Sequence, residues 1–188
     1  MTRDDILDAA AQVIRQKGFH GASMADIAEA VKLQKASLYH HVSSKQDILL
    51  ALLDRALEML FEQIEIVARQ PLPADEKLRQ MVQVYLRLLA ENSDLSAVLL
   101  FEHRSLETEQ HKRHIPNRDR FESLWREAIE DGIREGVFSC SDAALAVRAL
   151  MGILNWTLTW YNPDGPLSIE QIADQYAILL MNGLQKRM

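Results

Sequence analysis

The chain of 188 residues carries a single cysteine, Cys140, which excludes an internal disulfide and any cysteine-rich zinc site. Glycine and proline are sparse, at 7 and 5 residues, and β-branched runs are scarce. With so few breakers and strand formers, helices should dominate. No apolar run reaches the roughly 18 residues that cross a bilayer, and no charged-then-apolar leader is visible. A soluble, unexported, cytoplasmic protein without a membrane partner is expected. A phosphate-cradling glycine loop is also missing. Gly21-Ala22-Ser23 has the small residues of a nucleophile elbow, but no strand precedes it and helix capping explains the serine. His103, His111 and His114 lack an acidic or cysteine partner at fixed spacing, so solvated histidines are the simpler reading. No catalytic residue, metal site or cofactor is expected, and an enzyme is the remote reading.

What the chain does have is an apolar content of 48%, enough for a real core. Its net charge of −6 argues at first sight against a nucleic-acid partner. The distribution says otherwise. From Val31 to Gln46 there are Lys32, Lys35, His40, His41 and Lys45 and no acid, while Asp4, Asp5 and Asp8 lie in the first helix, where they favour its positive end. A small, local basic footprint predicts modest non-specific affinity and reliance on dimerisation.

That footprint falls on two short helical patterns, Met24 to Val31 and Lys35 to His41, joined by a turn too tight for anything but a steep crossing. Helices joined in this way form a helix-turn-helix, whose second helix enters the DNA major groove. In that second helix Leu38 and Val42 face inward at i, i+4, leaving Lys35, Ser37, Tyr39 and His40 outside. Thr2 caps a first helix with Ile6, Ala9, Ala10, Val13 and Ile14 inward, ending before Gly18, and Phe19 plugs the three-helix core. Ser23 with Asp26 caps the second helix. Ser43 or Ser44 starts a long fourth helix toward Arg69, with Ile48, Leu49, Leu52, Leu53, Ala56, Leu60 and Ile64 inward, stopped by Gln70-Pro71-Leu72-Pro73. The DNA-facing candidates are Ser23, Met24, Gln34, Lys35, Ala36, Ser37, Tyr39, His40 and Lys45.

The order Ile27-Ala28, Leu33, Leu38-Tyr39, His41, Ser44-Lys45 resembles the amino-terminal signature of the tetracycline-repressor (TetR) family of bacterial transcriptional regulators. The chain departs from that pattern at three places. Lys32 stands where the family has a turn glycine, Gln34 where it has a Ser or Thr cap, and Ala36 where it has glycine early in the recognition helix. A left-handed Lys32 would be strained by on the order of 1 kcal/mol, and Gln34 is a poorer cap by roughly 0.5–2 kcal/mol. These departures bear on the DNA pose, and they keep open the alternative of a helical dimeric adaptor that has lost specific DNA binding.

Beyond the fourth helix, periodicity predicts helices over Ala74 to Glu91, Asp94 to Arg104, Glu107 to Arg134 with a break or kink at Pro116, Asp142 to Tyr161, and Ile169 to Lys186. The boundary is placed near residue 50, with a helix-turn-helix domain in 1–50 and a ligand-binding and dimerisation domain in 51–188. The fold class is all-α, a three-helix head continuous with a helical carboxy-terminal body. Ala143 to Leu154 is apolar nearly all round, broken by Arg148, and the final helix carries two adjacent apolar strips, with Ser168 and Gln171 as its capping box. A monomer covers two such stripes poorly, so a homodimer through the last two helices is expected, and half-site reading of DNA needs the same twofold axis.

The run Asn155 to Ser168, with Glu102, Arg104, Arg118-Asp119 and the Phe121 to Trp125 face, is similar to a TetR-like subgroup that responds to CoA thioesters. That resemblance implies a double-stranded DNA operator, a homodimer and a small-molecule effector of acyl-CoA type. A cavity for it would be lined by Met81, Tyr85, Leu99, Phe121, Trp125, Met151, Asn155 and Trp156, with Arg104 and Arg118 meeting its phosphates.

Overall fold

The computed structural model describes residues 2–184. Its elements are helical: α1 (Arg3–Gly21), α2 (Met24–Ala30), α3 (Lys35–Leu38), α4 (Lys45–Ala68), α5 (Ala74–Glu91), α6 (Ser93–Glu102), α7 (Thr108–Arg134), α8 (Ala143–Trp160) and α9 (Ile169–Leu184), with a 3-10 turn at His103–Ser105. Residues 185–186 of the expected last helix lie outside the described residues.

Helix starts follow the local chemistry. Thr2 and Asp5 form a reciprocal box at α1, with backbone-to-side-chain bonds of 2.6 and 3.1 Å. Ser23 and Asp26 do the same at α2 (2.8 and 3.1 Å) and Ser168 and Gln171 at α9 (2.9 and 3.3 Å). Ser44, of the two serines considered, caps α4 by accepting from the Asp47 amide at 3.0 Å. Asp142 caps α8 in the same way through the Leu145 amide, at 3.0 Å. Near its end α1 is interrupted at Gly18, whose φ of 69° suits glycine, and Phe19 turns into the core.

Two elements differ from their expected form. The recognition helix was expected over Lys35 to His41, but α3 proper is one turn. Tyr39 to His41 continue it as tighter turns, with the His40 amide bonded to the Ser37 carbonyl (3.2 Å) and the His41 amide to that of Leu38 (3.0 Å). Gln34 supplies no side-chain cap to hold a longer helix. In α7, where a break or kink is expected at Pro116, the helix runs through the proline without a break. Pro116 and the neighbouring Lys112, whose carbonyl the proline leaves unbonded, are exposed, so water can satisfy that group.

By packing, the chain divides into two units, each made of two stretches: Met1–Glu58 with Asn92–Arg118, and Met59–Glu91 with Asp119–Met188. In the first, α1 packs on α2 and α6, and α2 on α3. Arg15 bonds Ser93 at 2.8 Å and Asp94 at 2.5 Å, joining α1 to α6. The second is built on α5, which packs against α8 and α9. Residues 92–118, which a single cut near residue 50 assigns to the body, pack with the amino-terminal unit. Every inward residue expected of α4, from Ile48 to Ile64, is buried. No helix of the described residues is long and apolar enough to cross a membrane.

Candidate functional site

In the first unit the turn between α2 and α3 places Lys32 at φ 55°, the left-handed conformation that the missing glycine leads one to expect. Leu38 and Val42 are buried, while Lys35, Ala36, Tyr39 and His40 are exposed and Ser37 is half-buried. The outer face of the recognition turn is therefore cationic and hydroxyl-bearing. Ser23 is exposed at the α2 cap, and Gln34 is exposed at that of α3.

Two expected DNA contacts are corrected. Met24 is buried in the head, because the capping box directs the first residue of α2 inward with Ile27 and Ala28. Lys45 does not present a free ammonium: its Nζ donates to the Phe19 and Ala22 carbonyls, each at 2.8 Å, and lies 4.4 Å above the centre of the Phe19 ring. Lys17 Nζ, 2.6 Å from Asp26 Oδ1, ties α1 to α2. With the Ser23 hydroxyl, it holds the Asp26 carboxyl well below the usual carboxylate range.

The histidines are not all solvated. His114 is buried, with Nδ1 3.0 Å from Asp54 Oδ1, which also accepts from Asn117 Nδ2 at 3.0 Å. This link between α7 and α4 spans sixty residues of sequence, beyond the reach of local pattern. His103 is half-buried, and burial, then the Arg104 charge, lower its pKa. Among the described residues no group of three His, Cys, Asp or Glu side chains could hold a metal ion.

In the second unit α5 and α7 bring together Tyr85, Phe121 and Trp125. The Tyr85 ring stacks on Phe121, centroids 6.0 Å apart, and meets Trp125 edge-on at 5.6 Å. The Tyr85 hydroxyl donates to Asn155 Oδ1 of α8 at 2.6 Å, and burial raises the pKa of the phenol. Trp125 is 0% exposed, and its indole Nε1 finds no hydrogen-bond partner among the described residues. A buried N–H without an acceptor is costly, and here it sits in an otherwise apolar, aromatic setting. Met81 lies one turn before Tyr85 and is buried; Met151 lies one turn before Asn155 and is half-buried.

Trp156 does not join this group. It is 66% exposed, on an outward row of α8 with Leu145, Ala149, Gly152 and Trp160. Asn155, one residue earlier and about 100° round the helix, takes the inward place beside Tyr85. Leu99, Arg104 and Arg118 belong to the other packing unit, so the second unit holds neither of the arginines expected to meet a ligand's phosphates. The outward row on α8, and Ile178 and Leu179 exposed on α9, lie on the two helices whose excess of apolar surface the sequence reading singles out.

Residues 6–52 match the family model described as "Bacterial regulatory proteins, tetR family" and residues 71–184 that described as "Tetracyclin repressor-like, C-terminal domain". The HTH-type transcriptional repressor KstR2 of Mycobacterium tuberculosis (strain ATCC 25618 / H37Rv) is 25% identical over 98% of this chain and 93% of its own length. The fatty acid metabolism regulator protein of Bacillus subtilis (strain 168) is 27% identical over 97% and 95%. Among solved structures, the TetR-family regulator PfmR from Thermus thermophilus superposes with a TM-score of 0.86 at 36% identity, covering 96% of this chain and 99% of that one. AibR in complex with isovaleryl coenzyme A and operator DNA gives 0.89 at 28%, covering 95% and 97%. Helix-turn-helix geometry and both halves of the sequence agree: the chain belongs to the TetR family of bacterial transcriptional regulators.

Proposed function

We propose that this protein is a ligand-released repressor that binds a palindromic operator as a homodimer, with a head formed within residues 1–50 and a ligand-binding, dimerising body in 51–188. Its effector is an apolar acyl compound presented as a CoA thioester. The observation that carries the effector reading is the buried Trp125 Nε1 with no acceptor, set beside Tyr85, Phe121 and Asn155. A carbonyl-bearing acyl group supplies the acceptor that the indole lacks, and the aromatic walls suit its chain. The AibR neighbour, seen with isovaleryl coenzyme A and operator DNA, supports the same chemistry.

The dimer reading rests on α8 and α9. Leu145, Trp156 and Trp160 on one helix and Ile178 and Leu179 on the other are large apolar side chains left open to solvent. Gly152 stands in the middle of that row, and a Cβ added there meets nothing within 4 Å of the single chain. An exposed glycine weakens a helix by about 1 kcal/mol relative to alanine. Close approach of a second helix gives that glycine a use. Release then requires a ligand that binds the non-operator state better, transmitted along α4, which runs unbroken from Lys45 to Ala68.

The uncapped, one-turn α3 favours a second reading, a helical dimeric adaptor without specific DNA binding. One experiment separates the two. Fragments of the promoter beside its own gene are titrated with protein, then with isovaleryl-CoA and longer acyl-CoAs, while tryptophan fluorescence is followed. A salt-sensitive shift, reversed by the same ligand that quenches fluorescence, supports the repressor. No shift with any fragment favours the adaptor, and a shift that no acyl-CoA reverses removes the CoA effector alone.

A further inference from the structure

We propose that Lys45 is a positioning residue for operator binding, one that acts on the turn between α1 and α2 and not on a DNA phosphate. The interruption of α1 at Gly18 leaves a short terminal turn, Phe19 to Ala22, whose carbonyls have no following helix to bond. The Lys45 ammonium donates to two of them, those of Phe19 and Ala22, at 2.8 Å each, and rests on the Phe19 ring at 4.4 Å. An ammonium has three donors, and two are taken here. Lys45 is half-buried, and swinging it out to a phosphate would leave both carbonyls unbonded.

The clamp sits where it controls the recognition turn. Ala22 directly precedes Ser23, the cap of α2, so the residue that holds the Ala22 carbonyl sets where α2 begins. The Lys17–Asp26 pair, at 2.6 Å, fixes the other side of the same cap. Because α2 packs directly on α3, a shift at the cap is passed to Lys35, Tyr39 and His40. Lys45 also opens α4, immediately after the Ser44 cap, so one side chain joins the start of α4 to the start of α2.

Salt dependence tells the two roles apart. Each lysine that neutralises a phosphate steepens the fall of log affinity with log salt by about one unit, and a positioning residue leaves that slope alone. The experiment measures anisotropy of a labelled duplex, selected from a random pool by the wild-type full-length protein, between about 50 and 200 mM salt. Lys45→Met keeps the aliphatic stem and removes the donors. The expected result is affinity about tenfold weaker at every salt, which is about 1.4 kcal/mol, with the wild-type slope. Lys35→Ala, which removes an exposed lysine from the recognition turn, should lower the slope. If Lys45→Met does not fold, Lys45→Gln, which keeps a side-chain donor, serves in the same comparison with a smaller loss and the same slope. A slope reduced by about one in the Lys45 variant would assign it to a phosphate and overturn the proposal. So would a lowered melting temperature with unchanged affinity, which would make the clamp a matter of stability alone.

Discussion

At Lys32 the backbone is left-handed, with φ of 55°, in a position where the side chain is exposed and a Cβ is crowded by about 1–2 kcal/mol. Lys32→Gly should relieve that strain, offset by roughly 0.4–1 kcal/mol of added freedom in the unfolded chain. The expected outcome in thermal melting is a head at least as stable as wild type. A clear drop in melting temperature would mean that the lysine side chain holds the turn. Tyr85 makes the opposite case, a polar contact inside an aromatic cluster. Tyr85→Phe keeps the ring but leaves Asn155 Oδ1 without the hydroxyl that now donates to it, and denaturant unfolding should show a loss of about 1–3 kcal/mol. Trp125→Phe removes an N–H that bonds nothing in the described chain together with part of a fully buried ring, so some stability is lost to the cavity and the response to an acyl-CoA should fall beyond what that loss explains.

At the scale of single helices, the caps and faces were legible because they depend on residues three or four apart. The Thr2 cap, the Ser23–Asp26 and Ser168–Gln171 boxes and the buried row of α4 stand where the sequence places them. Contacts across longer separations were not legible. Lys45 reads as a basic residue at a helix start, and nothing local shows that carbonyls 26 and 23 residues away occupy it. Trp156 leaves the expected cavity wall while Asn155 keeps its place there, for a related reason: α8 is apolar on nearly every side, so periodicity does not say which side faces α5. The Asp26 box has its own pH signature. A carboxyl held below its unfolded value near 3.9 stabilises the fold above that value, and the contribution is lost as pH falls through it toward the lower folded value. Acid unfolding of Asp26→Asn should lack that part of the wild-type decline, and an unaltered acid limb would show that the box contributes nothing.

For the molecule as a whole, a net charge of −6 is compatible with DNA binding because residues 31–46, around the α2–α3 turn, hold the exposed Lys32, Lys35, His40 and His41 and no acid. So small a footprint makes two heads on one duplex the natural route to tight binding. Gly152→Arg tests the twofold arrangement without attacking the fold. Nothing in the single chain lies within 4 Å of the new Cβ, and arginine is the better helix former by about 0.8–1 kcal/mol. Sedimentation should therefore show a folded monomer with weakened operator binding, whereas an intact dimer would place the interface elsewhere. Residues 92–118 share a packing unit with the head through partners such as Arg15 and Asp94, which lie 79 positions apart and so beyond the reach of local pattern.

The central claim, a dimer that holds an operator until a ligand releases it, is tested most directly by sedimentation of the protein with a labelled duplex selected by it, with and without acyl-CoA. The prediction is two chains on each palindromic duplex, a complex that weakens steeply with salt, and free dimer and free DNA once isovaleryl-CoA or a longer acyl-CoA is added. A monomer on DNA, or a complex that persists when the same acyl-CoA has demonstrably bound the protein, would contradict it.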